Sequence, residues 1–408
     1  MFSWKQRVVV ALAGAFELYD IVVFASLTAF ITANYFPESA FGQNSALLTA
    51  LLFGVRYVSR PLGGLVLGCL SDAWSRKHTL VLSSCLSGIA TLSMIALPTY
   101  HDLGMMATIA FVVLQLVQAF SFGGEGPTAI VFMLENTPKN ERARTGAILW
   151  GIIIVIVALS FAVVQSLTAW LGHEAMLAYG WRLALVVGFL NLLFCFWCRR
   201  NIQEPAKPKK KRIAIDWRAS GKVFLFVAPV NALGSAYLYF IHGMFAHMQW
   251  SPFWQQTAPI LTQVIMFGLM IGFATWVDKK LNFDKAYLGF AMALLLMAFP
   301  MYYLKHLGTD GLSLVSNLIL LVFVCVGFSL GPGMIYQQVE QVHNKALSLG
   351  IGYNMNIALF GGFSPFVISY LSQFGEAYAG FWFVFCALLP LLGATLTQAS
   401  QEPQKAIA

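Results

Sequence analysis

The sequence predicts an all-α membrane protein with twelve transmembrane helices in two six-helix bundles, and three observations predict it. Of 408 residues, 59% are hydrophobic and only 10% charged, whereas an ordinary soluble domain is about a quarter charged. Apolar runs of about twenty residues or more recur along the whole length, each able to cross a hydrocarbon core of roughly 30 Å as a helix. One long polar segment, Arg199 to Lys222, contains Lys207-Pro208-Lys209-Lys210-Lys211-Arg212 and divides the apolar runs six and six.

Taken in order, span 1 lies near residues 8–34. Lys5 and Arg7 before it resemble the start of a signal peptide, but the apolar stretch runs on to Ala33 and holds Glu17 and Asp20, so it reads as a first span. Spans 2 to 6 fall near 44–71, 78–98, 104–135, 143–171 and 181–200. Spans 7 to 12 fall near 219–247, 254–277, 285–304, 310–338, 344–372 and 376–398. The expected organisation is residues 1–200 as an N-terminal bundle, 201–218 as a cytoplasmic basic linker, 219–400 as a C-terminal bundle and 401–408 as a short cytoplasmic tail. Nearly all basic residues sit at the termini and in the loops after the even-numbered spans, with Lys305 and Arg182 the exceptions on the opposite side. By the positive-inside rule, both termini face the cytoplasm of a multi-pass inner-membrane protein.

The net charge of +8 therefore marks topology and a surface for anionic lipid, not nucleic acid. The six cysteines lie within or at the ends of apolar runs, and their one close pair, Cys195 and Cys198, reads as packing rather than a metal or redox site. No G-x-S-x-G, H-E-x-x-H or Walker-type P-loop occurs, so an enzyme is not expected, nor a metal or other cofactor.

Arg60-Pro61-Leu62-Gly63-Gly64, followed by Gly68 through Asp72 to Arg76-Lys77, resembles the loop 2–3 signature of the major facilitator superfamily, with Ser75 where the family usually has Gly. Phe16-Glu17-Leu18-Tyr19-Asp20, Gln118 to Glu125, Gly180-Trp181-Arg182, Tyr353-Asn354 and Phe360 to Pro365 narrow the resemblance to the metabolite:proton symporters, which include proline/betaine transporters. The resemblance implies the major facilitator fold and proton-driven import of a small solute.

Charges inside hydrocarbon are costly and by default functional. Helical rise puts Glu17 and Asp20 of span 1, Arg56 of span 2 and Glu125 of span 4 at a similar depth, with Arg60 one turn nearer the cytoplasm. Two roles stay open for this cluster: a static ion-pair network, or a proton site in which one carboxylate is protonated when its arginine partner is drawn away. Asp20, Glu125 and then Glu17 are the candidates for the proton. Arg56 is the candidate for a substrate carboxylate because a guanidinium offers bidentate geometry, with Tyr19 beside it, whereas Arg60 reads as structural. The second half offers polar or aromatic candidates: Asn354 and Asn356 in span 11, Tyr336 and Gln337 in span 10, Asn317, Gln263, and Tyr237 with Tyr239 in span 7. His242 and His247 are weaker candidates for a proton relay.

Gly68 allows close helix approach; for Asp72, Arg76 and Lys77, with Glu135, Glu141, Arg142 and Arg144 at the cytoplasmic end of span 4, two roles stay open, a salt-bridge latch that exists when the cytoplasmic side is closed and, for the arginines, a purely topogenic one. The expectation is a monomer that imports an amino acid, betaine or carboxylate with protons by alternating access. Export of a drug, siderophore or metabolite, and a sensor without transport, are the alternatives; the absence of a G-x-x-x-G-P-x-x-G-G pattern in span 5 favours import.

Overall fold

The computed structural model describes residues 4–200, 213–240, 251–280, 282–307 and 310–399. At some helix positions, Glu17 and Tyr239 among them, only the backbone is described. The side chains of Glu17 and Tyr239, the residues His242 and His247, the run Lys207–Arg212 and the tail 401–408 lie outside the described residues.

Every regular element described is helical. Span 1 is a bent pair, Trp4–Ser26 and Thr28–Tyr35, with a 72° break. Spans 2 to 6 are Ser45–Ala73, Arg76–Ala96, Met105–Glu135, Arg142–Ala175 and Trp181–Arg200. Spans 7 to 10 are Trp217–Phe240, Pro252–Lys280, Phe283–His306 and Asp310–Val339. Span 11 joins Lys345–Asn356, a π turn over Ile357–Gly362 and Ser364–Ser372; span 12 is Ala379–Ala399.

Among the described residues, nine stretches are long and apolar enough to cross a membrane, or ten if the bent pair counts as one. Two features separate this number from twelve. Lys139–Arg200 counts as one stretch although Gly172, at φ 79°, breaks it into spans 5 and 6 by taking a backbone conformation open chiefly to glycine. Ser45–Ala73 has 29 residues, ample length, but Arg56 and Arg60 dilute its apolar character.

The described chain separates into two compact units, Met1–Asn136 with Ile152–Ala214, and Thr137–Gly151 with Ile215–Ala408. The opening of span 5 thus packs in the second unit, where Trp150 meets Phe328 edge-on and Gly146 lies against the Ser329 carbonyl. The larger pairings in the second unit are span 7 with spans 10, 11 and 12, span 9 with spans 10 and 12, and span 8 with span 10.

In the first unit, spans 2 and 4 make the most extensive pairing, and glycines permit it. A Cβ on Gly63 would lie 1.8 Å from the Phe120 carbonyl oxygen, and one on Gly123 would lie 2.0 Å from that of Arg60. The backbones touch reciprocally, as small-residue stripes allow between membrane helices. Span 3 packs on spans 4 and 6, and span 1 on span 6.

The bend in span 1 carries hydroxyls bonded back into the helix: Ser26 to the Val22 carbonyl at 2.9 Å, Thr28 to that of Ala25 at 2.7 Å. Such back-bonding favours bending. Large apolar side chains such as Val58, Ile89, Leu296 and Phe366 are exposed, and Trp170, Trp197, Trp217 and Trp254 are exposed near helix ends, the places lipid and its interface would cover.

Candidate functional site

Asp20 lies within the first helix of span 1, and its carboxylate is buried at 2% exposure. Its Oδ2 accepts hydrogen bonds from Thr91 of span 3 at 2.8 Å and from the Gln118 amide of span 4 at 3.0 Å. Gln118 also donates to Thr91 at 2.9 Å, and its Oε1 accepts from Arg56 Nη2 at 3.4 Å. Arg56 therefore reaches Asp20 through one amide, and its guanidinium lies 4.9 Å from the centre of the Phe24 ring, within cation–π range.

The other oxygen, Oδ1, has no hydrogen-bond partner among the described residues and rests on Gly188 of span 6, where a Cβ would sit 2.1 Å away. Gly188 makes the room this carboxylate occupies. With Oδ2 accepting two bonds, a proton on Asp20 belongs on Oδ1.

Beside this relay is a small, partly open pocket lined by Ile21, Arg56, Tyr57, Arg60, Ala119 and Phe122. Arg56 Nη1 and Arg60 Nε have no partners among the described residues. Arg60, read from sequence as structural, thus lines the same pocket as Arg56. Tyr19 is fully buried and donates to the Ala184 carbonyl at 3.2 Å, tying span 1 to span 6. That engages its hydroxyl.

Glu125 does not join Arg56 and Arg60, contrary to the expectation of one cluster at one depth. Its Oε1 pairs with Arg199 at the end of span 6, and its Oε2 accepts from Ser83 at 2.9 Å. Arg199 also donates to the Leu80 carbonyl at 2.8 Å and to Ser84. The side chains of the pair are 3% and 2% exposed. The physical reason is reach: sequence places Arg199 at the start of a solvated polar segment, but its long side chain turns back into the bundle where an ionised carboxylate needs a partner.

At the end of spans 2 and 4 that leads into the loops, Arg76 holds Glu135 with both arms, Nε and Nη2 each at 2.6 Å, and Asp72 with Nη1 at 2.9 Å. Ser75, at the family's glycine position, caps the span 3 helix by accepting the His78 N–H at 3.2 Å. Gly68 is buried in span 2, and Lys77 follows Arg76 at the helix start.

Arg142 and Arg144 do not extend this group, which corrects the single expected latch. Arg142 bonds Glu340 at 2.5 Å and lies over Tyr336, which Lys345 also faces. The carboxylate of Asp278 accepts the N–H groups of Ala143 and Arg144 at 3.0 and 2.9 Å, with Arg144 Nε at 3.4 Å. A carboxylate bonded to the first free amides of a helix is stabilised by those bonds and by the helix dipole, so Asp278 clamps the start of span 5. Neither Asp278 nor Glu340 was singled out from sequence. The Arg142 hydrogen bond holds the Glu340 carboxyl below its ordinary pKa, with the charges of Arg142, Lys139 and Lys345 adding to it.

In span 11, the Asn354 amide donates to the Gly350 carbonyl one turn back at 2.8 Å. Asn356 bridges to span 7, donating to the Phe224 carbonyl at 2.7 Å and accepting from Asn231 at 2.8 Å. Asn356 thus fastens span 11 to span 7, the commoner use of amides in membranes, whereas the Asn354 bond stays within its own helix. Gln263 and Tyr237 are buried side chains of the second unit.

Charged groups deep in a helical bundle beside a small pocket, with ion pairs at the helix ends, define a multi-pass membrane transporter. A family model described as the Major Facilitator Superfamily matches residues 21–364, and the chain belongs to that superfamily of secondary transporters. It is 26% identical to a Staphylococcus aureus protein named "Putative proline/betaine transporter", over 90% of this chain and 82% of the relative. It is 25% identical to the ectoine/proline transporter ProP of Corynebacterium glutamicum (95% and 82% covered) and 25% identical to the citrate–proton symporter of Salmonella typhi (93% and 90%). The fold is similar to that of the proton:xylose symporter XylE, with TM-score 0.72, 14% identity and 97% and 95% of the two chains covered. The outward conformation of FucP gives TM-score 0.65, 14% identity, and 96% and 98%.

Proposed function

We propose that this chain is a proton-coupled symporter of the inner membrane, its termini cytoplasmic, importing a small zwitterion or organic acid as a monomer by alternating access. The observation that carries the reading is the relay from Asp20 through Gln118 to Arg56 beside the Arg56–Arg60 pocket. The relatives named as proline, ectoine and citrate transporters support a small, charged solute.

The residues act as follows. A substrate carboxylate entering the pocket takes the free arm of Arg56 and competes for the arm on Gln118. The amide then loses its acceptor contact with the guanidinium, and Asp20 loses the nearby compensation of its charge. A proton arriving on Oδ1 removes that charge, so proton and substrate load together. Asp20 is thus the coupling carboxylate, while Glu125, held by Arg199, stays ionised as a structural partner. The Arg76 fork on Glu135 and Asp72, the Asp278 clamp on span 5 and the Arg142–Glu340 pair form when the cytoplasmic path is closed and release when it opens.

The test is a proton-flux measurement with purified protein in liposomes, an internal pH dye and a panel of amino acids, betaines and carboxylic acids added outside. The reading expects at least one compound to acidify the interior in wild type and none to do so in Asp20→Asn. If no compound moves protons while the protein still accumulates or expels a solute, proton-coupled import is wrong.

A further inference from the structure

Resting on the reading of Asp20 as the coupling carboxylate, we infer that span 3 carries the path by which the coupled proton leaves Asp20 for the cytoplasmic side: a ladder of buried hydroxyls bridged by water, with Ser87 as a middle rung. Ser75, Thr79, Ser83, Ser87 and Thr91 recur every fourth residue from the start of the helix to the level of Asp20. That spacing puts them on one face, and none is more than 8% exposed. The ladder covers about 24 Å of helix, from the loop between spans 2 and 3 to the coupling site.

Hydroxyls in a membrane helix commonly bond back to a carbonyl of their own helix, as Ser84 does to Leu80 and Ser160 to Ile156. Thr79 and Ser83 do so too, but Ser83 also donates to Glu125 Oε2, and Thr91 donates across to Asp20 Oδ2. Ser87, between them and fully buried, has no hydrogen-bond partner among the described residues. Span 4, packed against this face, adds a second such group. Its Ser121 donates to the Ser83 carbonyl at 2.6 Å, and Thr128, seven residues on and therefore on the same side of the helix, is fully buried with its hydroxyl likewise unpartnered among the described residues. A buried hydroxyl left unbonded is costly, and water is the ordinary remedy where several polar groups converge. Successive rungs rise about 6 Å, the reach of one water making two hydrogen bonds of about 2.8 Å.

The transfer needs no other reactant. The proton that arrives on Asp20 Oδ1 leaves once the carboxyl turns about its Cβ–Cγ bond and donates to Thr91. Each hydroxyl or water then accepts one proton and releases its own to the next, so one proton leaves Asp20, one emerges at the loop, and every rung ends neutral. The described charges nearest the ladder are Asp20 from span 1, Glu125 from span 4 and Arg199 from span 6, with Arg56 reaching it through Gln118. Glu125 and Arg199 form a neutral pair, so a passing proton meets no net charge there and the carboxylate is not a station on the path. Asp72, Arg76, Glu135 and His78 stand at the loop end.

The experiment uses the full-length protein in liposomes, with labelled proline, glycine betaine and citrate as probes and an internal pH dye. Exchange of labelled for unlabelled probe, which moves no net proton, is compared with accumulation driven by a pH gradient. Ser87→Val removes the rung and fills its place, Ser87→Cys keeps its shape with a weakly hydrogen-bonding group, and Ser87→Thr keeps a hydroxyl. Exchange should persist in all three. Accumulation and the dye response should fall by roughly tenfold or more in Ser87→Val and Ser87→Cys, and Ser87→Thr should recover most of the loss. If Ser87→Val fails to fold, Ser87→Cys carries the same expectation. Coupling in Ser87→Cys that matches wild type, or exchange and accumulation that fall together in it, marks the stripe as packing and overturns the inference while the symporter reading stands. A wild type that moves protons with none of the three probes removes the symporter reading and the path with it.

Discussion

Replacing Arg199 with Met strands Glu125. In the intact protein that carboxylate has the guanidinium on one oxygen and the Ser83 hydroxyl on the other, and the pair is almost fully buried. Removing one partner of such a pair costs about 3–5 kcal/mol, whereas replacing both by apolar groups of similar volume is close to neutral. Arg199→Met should therefore lower thermal stability sharply, Glu125→Met should do likewise, and Glu125→Met with Arg199→Met should recover most of the loss. That is a coupling of about 3 kcal/mol or more in a double-mutant cycle. The assay is thermal unfolding of each variant in one detergent, with proton-driven uptake measured alongside. Uptake is the sharper readout. If Glu125 serves only to hold spans 3, 4 and 6 together, the double variant transports. A double variant that folds as stably as wild type yet has lost proton coupling would refute the assignment of Glu125 as structural and restore it as a proton carrier.

Other outcomes follow from single contacts. Gly188→Ala puts a Cβ 2.1 Å from Asp20 Oδ1, so proton-driven uptake should fall by roughly tenfold or more while the protein still folds, checked by uptake and size exclusion. Gly123→Ala meets the Arg60 carbonyl at 2.0 Å and should reduce yield and melting temperature, since backbone cannot retreat as a flexible side chain can. Asp278→Ala removes the acceptor of two helix-start amides, about 1–2 kcal/mol, and amide exchange over residues 142–147 should accelerate by roughly 5- to 30-fold. Glu340 has a lowered folded-state pKa, so its contribution is complete above the ordinary carboxyl value and is lost as pH falls through the depressed one. Glu340→Gln should accordingly change the rate of opening but not the shape of the uptake profile between about pH 5.5 and 8.

Hydropathy located the helices well because span length and loop chemistry are written locally. Span 6, expected at 181–200, forms Trp181–Arg200; span 3, expected at 78–98, forms Arg76–Ala96, its start set by the Ser75 cap. The bend after Ser26 and the π turn at Ile357–Gly362 left no mark on hydropathy, since both keep an apolar composition. For the buried charges, helical rise gave depth but not facing. It groups Glu125 with Arg56, whereas the partner is Arg199, which in the sequence stands at the edge of a basic segment. The uncharged members do not stand out, because polar residues in membrane spans more often serve packing. A signal was present: Ser83, Ser87 and Thr91 recur every fourth residue along span 3, and all are buried, a polar stripe facing Glu125 at one end and Asp20 at the other.

The central claim is that Asp20 carries the coupled proton, and the most direct measurement compares two modes of transport in Asp20→Asn proteoliposomes. Exchange of labelled for unlabelled substrate needs the binding site and its alternation but no net proton movement; uphill accumulation driven by an imposed pH gradient needs both. Asparagine keeps the size of the side chain, and its amide oxygen retains an acceptor for Thr91 and Gln118. The account predicts that exchange persists in the variant while gradient-driven accumulation disappears. Accumulation that continues with an unchanged response to the pH gradient would contradict it and place the coupling proton elsewhere.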